Sequence, residues 1–177
     1  PRLVIFSIVD FAQLFCALQT VNLQAVVTVK LVPESGVGTI AAGLAKAKAD
    51  LILMSGREGV TGTSPMNSIK HASLPLEIGL AEVQQTLVLN NLRGQIRLQT
   101  AGQLKTGHDI IVAAKLVEEE FGFATSALIG LGCVIMRKCH LNTCPVGVAK
   151  LSVELRKKYI GRSEYLINYF NFLAEEV

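Results

Sequence analysis

The chain has 177 residues, half of them hydrophobic and only 18% charged, with a formal net charge of +3. That composition supports a sizeable core and excludes a disordered, collagen-like or coiled-coil chain. The positive balance is too mild for a nucleic-acid surface, and LRKK at 155–158 reads as a solvated helix face.

The first stretch, PRLVIFSIVDFAQLF, has no initiating Met and is interrupted by Asp10 and Gln13, with no clean small-residue cleavage site behind it. Neither a signal peptide nor a membrane span is expected. SIVDFAQLFCALQT reads as a helix, with Cys16 expected in the core because unpaired cysteine is among the most buried residue types. VVTVKLV (26–32), β-branched and bounded by Pro33 and Gly36, reads as the first strand. VGTIAAGLAKAKAD is helical and leads to a second strand, LILMSG (51–56). LEIGLAEVQQTLVLNNLRG repeats apolar residues at 76, 80, 83, 87 and 92, a helical stripe ending near Gly94.

IRLQTAG (96–102) is a third strand, GHDIIVAAKLVEEE a helix, and FGFAT (121–125) a fourth strand. The uncharged run from Phe121 to Met136 is too short to span a bilayer comfortably and reads as strand, turn and helix. VELRKKY and SEYLINYFNFLAEEV are expected as closing helices, with Ser163 as an N-cap.

This alternation is the pattern of βα units around a parallel sheet, open and doubly wound or closed as a (βα) barrel. Four units make half a barrel and eight close one. With no initiating Met, the chain is expected to be a piece of a longer one. Such folds place their chemistry at the C-terminal ends of strands. There the sequence offers Lys30, Ser55 with Gly56, and Gln99 to Gly102, while Gly122 lies within the fourth strand. GREGVTGTSP (56–65) could offer N–H groups and hydroxyls to an anion, although a Gly-rich run is commonly just a loop; it fits neither the Walker pattern nor GxGxxG. AGQLKTGHD and FGFAT look like paired phosphate-binding turns on successive strands. Lys30 could face a flavin or an anionic substrate, or be a snorkelling surface lysine.

Three of the four cysteines, Cys133, Cys139 and Cys144, are spaced C-x5-C-x4-C. With no export signal, a reducing compartment is expected, so metal or redox chemistry comes before disulfides. Zinc held with His140 is chemically possible, although neighbouring residues rarely point at one metal. A cuboidal iron–sulfur cluster lacking one iron needs only three thiolates, and Pro145 after Cys144 echoes the Cys-Pro of ferredoxin loops.

VKLVPESGVGTIAAGLAKAKADLILMSG, GTSPMNSIKHASLPLEIGLAE, LQTAGQLKTGHD, EEFGFAT and GCVIMRKCHLNTCPVGVA resemble the central flavin domain of the large subunit of glutamate synthases, from about residue 6 to the end. The resemblance implies an α/β fold of (βα)8 TIM-barrel type, here its C-terminal half: βα units over 1–132, an iron–sulfur loop over 133–147 and closing helices over 151–177. It implies FMN beside Lys30, Ser55, Gly56, Gln99, Gly102, Gly122 and Phe123, and a 3Fe-4S cluster on Cys133, Cys139 and Cys144. The implied activity is an oxidoreductase that joins glutamine-derived ammonia to 2-oxoglutarate and reduces the product with FMN to L-glutamate. The implied partners are the rest of the synthase chain and either an NAD(P)H-oxidising small subunit or ferredoxin, in the cytoplasm or a plastid stroma.

This sequence has Val60 where the family's GHDGGTGASP run has Gly, Ala101 where its turn has Asp, His108 where Arg is common and Val9 where Glu is. The alternatives are a non-catalytic remnant and a metal-binding structural module of the same fold. A half barrel with open sheet edges is also expected to associate rather than remain monomeric.

Overall fold

The computed structural model describes residues 7–59, 66–71, 73–102, 104–116, 119–148 and 152–177. The opening PRLVIF and the segment from Val60 to Pro65 lie outside them, so the substitution at Val60 does too.

Four strands, β1 (Thr28–Leu31), β2 (Leu51–Ser55), β3 (Arg97–Ala101) and β4 (Glu120–Gly122), form one parallel sheet in sequential order. Around them run α1 (Ile8–Val21), α2 (Val37–Lys46), α3 (Met66–His71), α4 (Leu76–Leu89), α5 (Gly107–Lys115), α6 (Thr125–Gly130), α7 (Val153–Arg156) and α8 (Ser163–Glu176). The chain is therefore α/β, and each expected strand window contains or overlaps an observed strand. The stretch after Phe121 is a strand, a turn and a short helix as its composition implied.

One face of the sheet carries the core. Ile52, Met54 and Leu98 pack against Val37, Ala41 and Leu44 of α2 and Leu80, Val83 and Leu87 of α4. The i, i+3, i+4 spacing of the α4 residues is what turns that stripe onto the sheet. α2 and α4 come close because Gly38 lies against Thr86 and donates its N–H to Glu82 Oε1 at 3.0 Å. Between β1 and β2, Asp50 Oδ2 accepts the Val27 N–H at 2.7 Å.

Several boundaries differ from expectation. α4 ends at Leu89 rather than near Gly94: the Asn90 side chain donates to Thr86 O at 2.8 Å and Asn91 turns left-handed at φ +55°. α2 stops at Lys46, and Lys48 likewise has φ +65°. The VELRKKY helix covers only Val153–Arg156. Ser163 is not the cap of α8; Arg162 holds that position with no side-chain hydrogen bond. Cys16 is exposed, and Phe15 beside it takes the buried position. α3 had no counterpart in the sequence reading.

Two capping boxes set helix starts. In α1, Ser7 and Asp10 bond reciprocally. In α5, the Asp109 N–H donates to Thr106 Oγ1 at 3.3 Å, while Asp109 Oδ2 accepts the N–H groups of Lys105 and Thr106, each at 3.0 Å. Burial pushes the Asp109 carboxyl up, but those N–H groups, the Thr106 hydroxyl and the charge of His108 outweigh it and hold its pKa below the ordinary value. A carboxylate favoured by folding contributes stability above its unfolded pKa of about 4 and loses it as pH falls through the lower folded value. Asp109→Ala is therefore expected to destabilise at neutral pH by about 1 kcal/mol, the scale of a lost cap. The deficit should shrink as the pH drops below about 4, read from urea midpoints across pH.

α8 closes over two strand-end turns. Tyr169 Oη donates to Lys105 O at 2.9 Å, and Glu176 Oε2 accepts the Gly107 N–H at 2.9 Å. The Phe170 ring meets Phe123 edge-on at 5.4 Å. The turns after β3 and β4 are thus held by one helix.

Candidate functional site

The parallel register sorts side chains onto two faces, because alternate residues of a strand point to opposite sides. On the face away from the α2–α4 core, Lys30, Leu53, Gln99 and Glu120 lie side by side at one level, one from each strand. One step nearer the C-terminal ends, Ser55, Ala101 and Gly122 form a second row. The first row is polar apart from Leu53, and the second is small. A flat polar ring needs such a combination: donors and acceptors at its edge, and no bulk beneath it.

Lys30 Nζ donates to Gly59 O at 3.3 Å, reaching toward the 3-10 turn Arg57–Gly59 that follows β2. Ser55 is wholly buried, and its Oγ has no hydrogen-bond partner among the described residues. A buried hydroxyl without a partner costs about 1–3 kcal/mol, so a ligand able to pair with it gains from doing so. Three glycines interlock at the same strand ends. Gly56 donates its N–H to Ala101 O at 3.1 Å, and the Gly59 N–H returns to Gly56 O at 2.7 Å. A Cβ on Gly59 would stand 2.7 Å from Gly102 Cα and 2.7 Å from Ser55 Oγ. Gly102 has φ +136°, a conformation suited to glycine, and a Cβ there would stand 3.2 Å from the Gly56 nitrogen. Beside them opens a cavity of about 300 Å³ lined by Gly56, Arg57, Gly102, Leu104, His108 and Asp109 among others.

The structure thus brings Lys30, Ser55, Gly56, Gln99, Gly102 and Gly122 to one face or edge of the sheet. Phe123 lies just past β4, its ring against Phe170. A buried unpaired hydroxyl, backbone without side chains and a row of small residues fit a flavin in kind.

The cysteine loop follows α6. From 133 to 140 the chain alternates: Cys133, Ile135, Arg137 and Cys139 are half-buried, whereas Val134, Met136, Lys138 and His140 are exposed. Cys144, further on, is half-buried as well. Ile135 and Arg137 hold left-handed φ of +50° and +56°, and the Ile135 N–H donates to Cys133 Sγ at 3.4 Å. None of the four cysteines is in a disulfide. Among the described residues no three His, Cys, Asp or Glu side chains gather closely enough to hold a metal ion, and His140 sits on the outward side. The three thiols therefore share a loop without forming a closed ligand set. Arg137 Nη1 is buried with no hydrogen-bond partner among the described residues. Three soft donors on one loop fit an iron–sulfur group in kind better than they fit zinc with the exposed His140.

Sequence reading missed three residues of this region. In the sequence Glu120 reads as the tail of a helix, yet it opens β4 and bonds Gln99 and Arg97. Gly59 is one letter in a Gly-rich run, and Arg137 carries no reading of its own in the sequence. The strand parity of EEFGF was the signal for Glu120; no local signal marks the other two.

The family model for the conserved region in glutamate synthase matches residues 1–177. Over the whole chain, identity is 57% to the glutamate synthase [NADPH] large chain of Bacillus subtilis, 55% to the glutamate synthase [NADH] of Schizosaccharomyces pombe and 50% to the chloroplastic ferredoxin-dependent glutamate synthase 2 of Arabidopsis thaliana. The chain spans 12%, 8% and 11% of those three proteins respectively. With matches of that strength from its first residue to its last, the chain belongs to the glutamate synthase family.

Proposed function

We propose that this chain forms part of the synthase site of a glutamate synthase, in the C-terminal half of a (βα)8 barrel. Sequential parallel order in all four strands supports one arc of a barrel, since a doubly wound sheet reverses its order at a switch point. The single observation that carries the site is the double row on the sheet: Lys30, Gln99 and Glu120 below, Ser55, Ala101 and Gly122 above.

Gly56, Gly102 and Gly122 leave backbone open to FMN, Ser55 offers its hydroxyl, and Lys30 and Gln99 supply polar edge contacts. When bound, reduced FMN supplies the hydride that converts the adduct of ammonia and 2-oxoglutarate to glutamate, with electrons passed on by a 3Fe-4S cluster. Lys30 brings positive charge to a site that takes a dicarboxylate. Cys133, Cys139 and Cys144 provide the thiolates for the cluster. Ala101 supplies no carboxylate to the flavin's ribityl hydroxyls, so the serine and the backbone carry more of that binding. The NADPH, NADH and ferredoxin named for the relatives leave all three electron donors open for this protein.

Iron, zinc and flavin analysis of the intact purified protein tests this reading. Co-purifying flavin and iron are expected. Flavin without iron would remove the cluster assignment, zinc in its place would favour the structural module, and neither flavin nor iron would favour the remnant. Among the described residues no helix is long and apolar enough to cross a membrane.

A further inference from the structure

Gln99 and Glu120 face each other across β3 and β4. Glu120 uses its two carboxylate oxygens separately: Oε1 accepts from Arg97 Nη1 at 2.7 Å, and Oε2 accepts from Gln99 Nε2 at 3.2 Å. Arg97 lies two residues before Gln99 on the same strand and therefore on the same face. The carboxylate is held at both oxygens, by two residues of β3.

The consequence falls on Gln99. A glutamine amide presents a donor end and an acceptor end of nearly the same shape, and only its surroundings decide which points where. An ionised carboxylate accepts and cannot donate. Turning the Gln99 amide over would set its carbonyl oxygen against Glu120 Oε2, two acceptors in contact. Gln99 therefore spends its nitrogen on Glu120 and offers its oxygen elsewhere.

We propose that Glu120, anchored by Arg97, is a positioning residue that locks the Gln99 amide with its oxygen outward, as an acceptor for the imide N–H of a bound flavin. The inference rests on the flavin reading above and deepens it. The oxidised isoalloxazine ring carries one N–H, at N3, and an acceptor of fixed orientation recognises it. An amide free to turn over would present acceptor and donor alike and lose that discrimination.

The test uses the intact protein, stripped of flavin and titrated with FMN and with 3-methyl-FMN, which lacks that N–H. Flavin fluorescence gives both affinities. The parent is expected to prefer FMN by about tenfold, the scale of one well-placed hydrogen bond. Gln99→Leu removes the acceptor and should reduce the preference to about twofold or less. Glu120→Gln leaves the acceptor present but unlocked and should reduce the preference to between those values. The double variant should be no worse than Gln99→Leu alone, because Glu120 acts through Gln99. Far-ultraviolet circular dichroism identifies a variant that has lost its fold, in which case Glu120→Asp takes its place and should restore part of the preference. Unchanged preference in folded Glu120→Gln, or a further loss in the double variant, overturns the positioning role and leaves the flavin site standing. A parent that takes up neither flavin overturns the site and this inference with it.

Discussion

Gly59→Ala is expected to abolish flavin uptake while leaving most of the helical core intact. The added methyl would meet Gly102 Cα and Ser55 Oγ at 2.7 Å each and the Gly102 nitrogen at 3.1 Å. Two of those three atoms are backbone, so no rotamer change relieves the contact. Either the Arg57–Gly59 turn lifts from the strand ends or the turn after β3 moves away from it. Lifting the turn carries off Gly59 O, which accepts from Lys30 Nζ, and displaces the Gly56–Ala101 hydrogen bond. Overpacking of this kind costs about 1–3 kcal/mol.

Gly59 is not a member of the α2–α4 core, so the damage should stay local. Equilibrium binding of FMN should weaken by about 100-fold or more, whereas the urea midpoint should fall only modestly. Gly94→Ala is the matched control, since a Cβ there meets nothing within 4 Å. Unimpaired flavin binding by Gly59→Ala would show that the glycine interlock does not shape the site.

What could be read ahead of the structure follows the range of the forces involved. β1, β2 and β3 were legible because β-branched and aliphatic runs bounded by Pro, Gly or Asp are local signals. The α4 stripe was legible for the same reason, through residues 76, 80, 83 and 87. The helix ends were not. Asn91 and Lys48 look like ordinary polar helix residues, and it is their left-handed backbone that marks the helix ends. Glu120 was misread because three glutamates in a row suit a helix end, whereas pairing with β3 recruits the last of them into a strand. That pairing is long-range, and the parity of EEFGF is the trace it leaves locally.

The site divides in the same way. Lys30, Ser55, Gln99 and Gly122 were picked out from strand ends and family resemblance, and the register brings them to one face. That Ser55 is buried without a partner, or that Gly59 fills the space between Ser55 and Gly102, depends on contacts between residues distant in the chain. Cys16 shows the converse error. A thiol on a mostly apolar helix looked like core, but the helix turns Phe15 inward and leaves Cys16 exposed. An exposed thiol on α1, far in sequence from the cysteine loop, makes a useful control.

Cys139→Ser is expected to remove iron from the protein while leaving flavin in place. Cys139 is the middle thiol of the loop and begins the 3-10 turn Cys139–Leu141, half-buried like Cys133 and Arg137. Serine keeps the shape of the turn but replaces a thiolate donor with an alcohol that stays protonated near neutral pH and binds iron poorly. A cluster with three protein ligands has no spare donor, and His140 faces outward and is badly placed to substitute. Iron content after anaerobic reconstitution should therefore fall about tenfold or more. The electron paramagnetic resonance signal of the oxidised cluster should disappear with it. Flavin should remain, because Ser55, Gln99 and Gly102 lie on strands and turns that the cysteine loop does not form. Cys16→Ser should retain both cofactors. Undiminished iron in Cys139→Ser would show that these thiols pack rather than ligate. Parallel loss of flavin would show instead that the loop holds up the strand-end turns, by way of α6 before it and the α8 on which α6 packs.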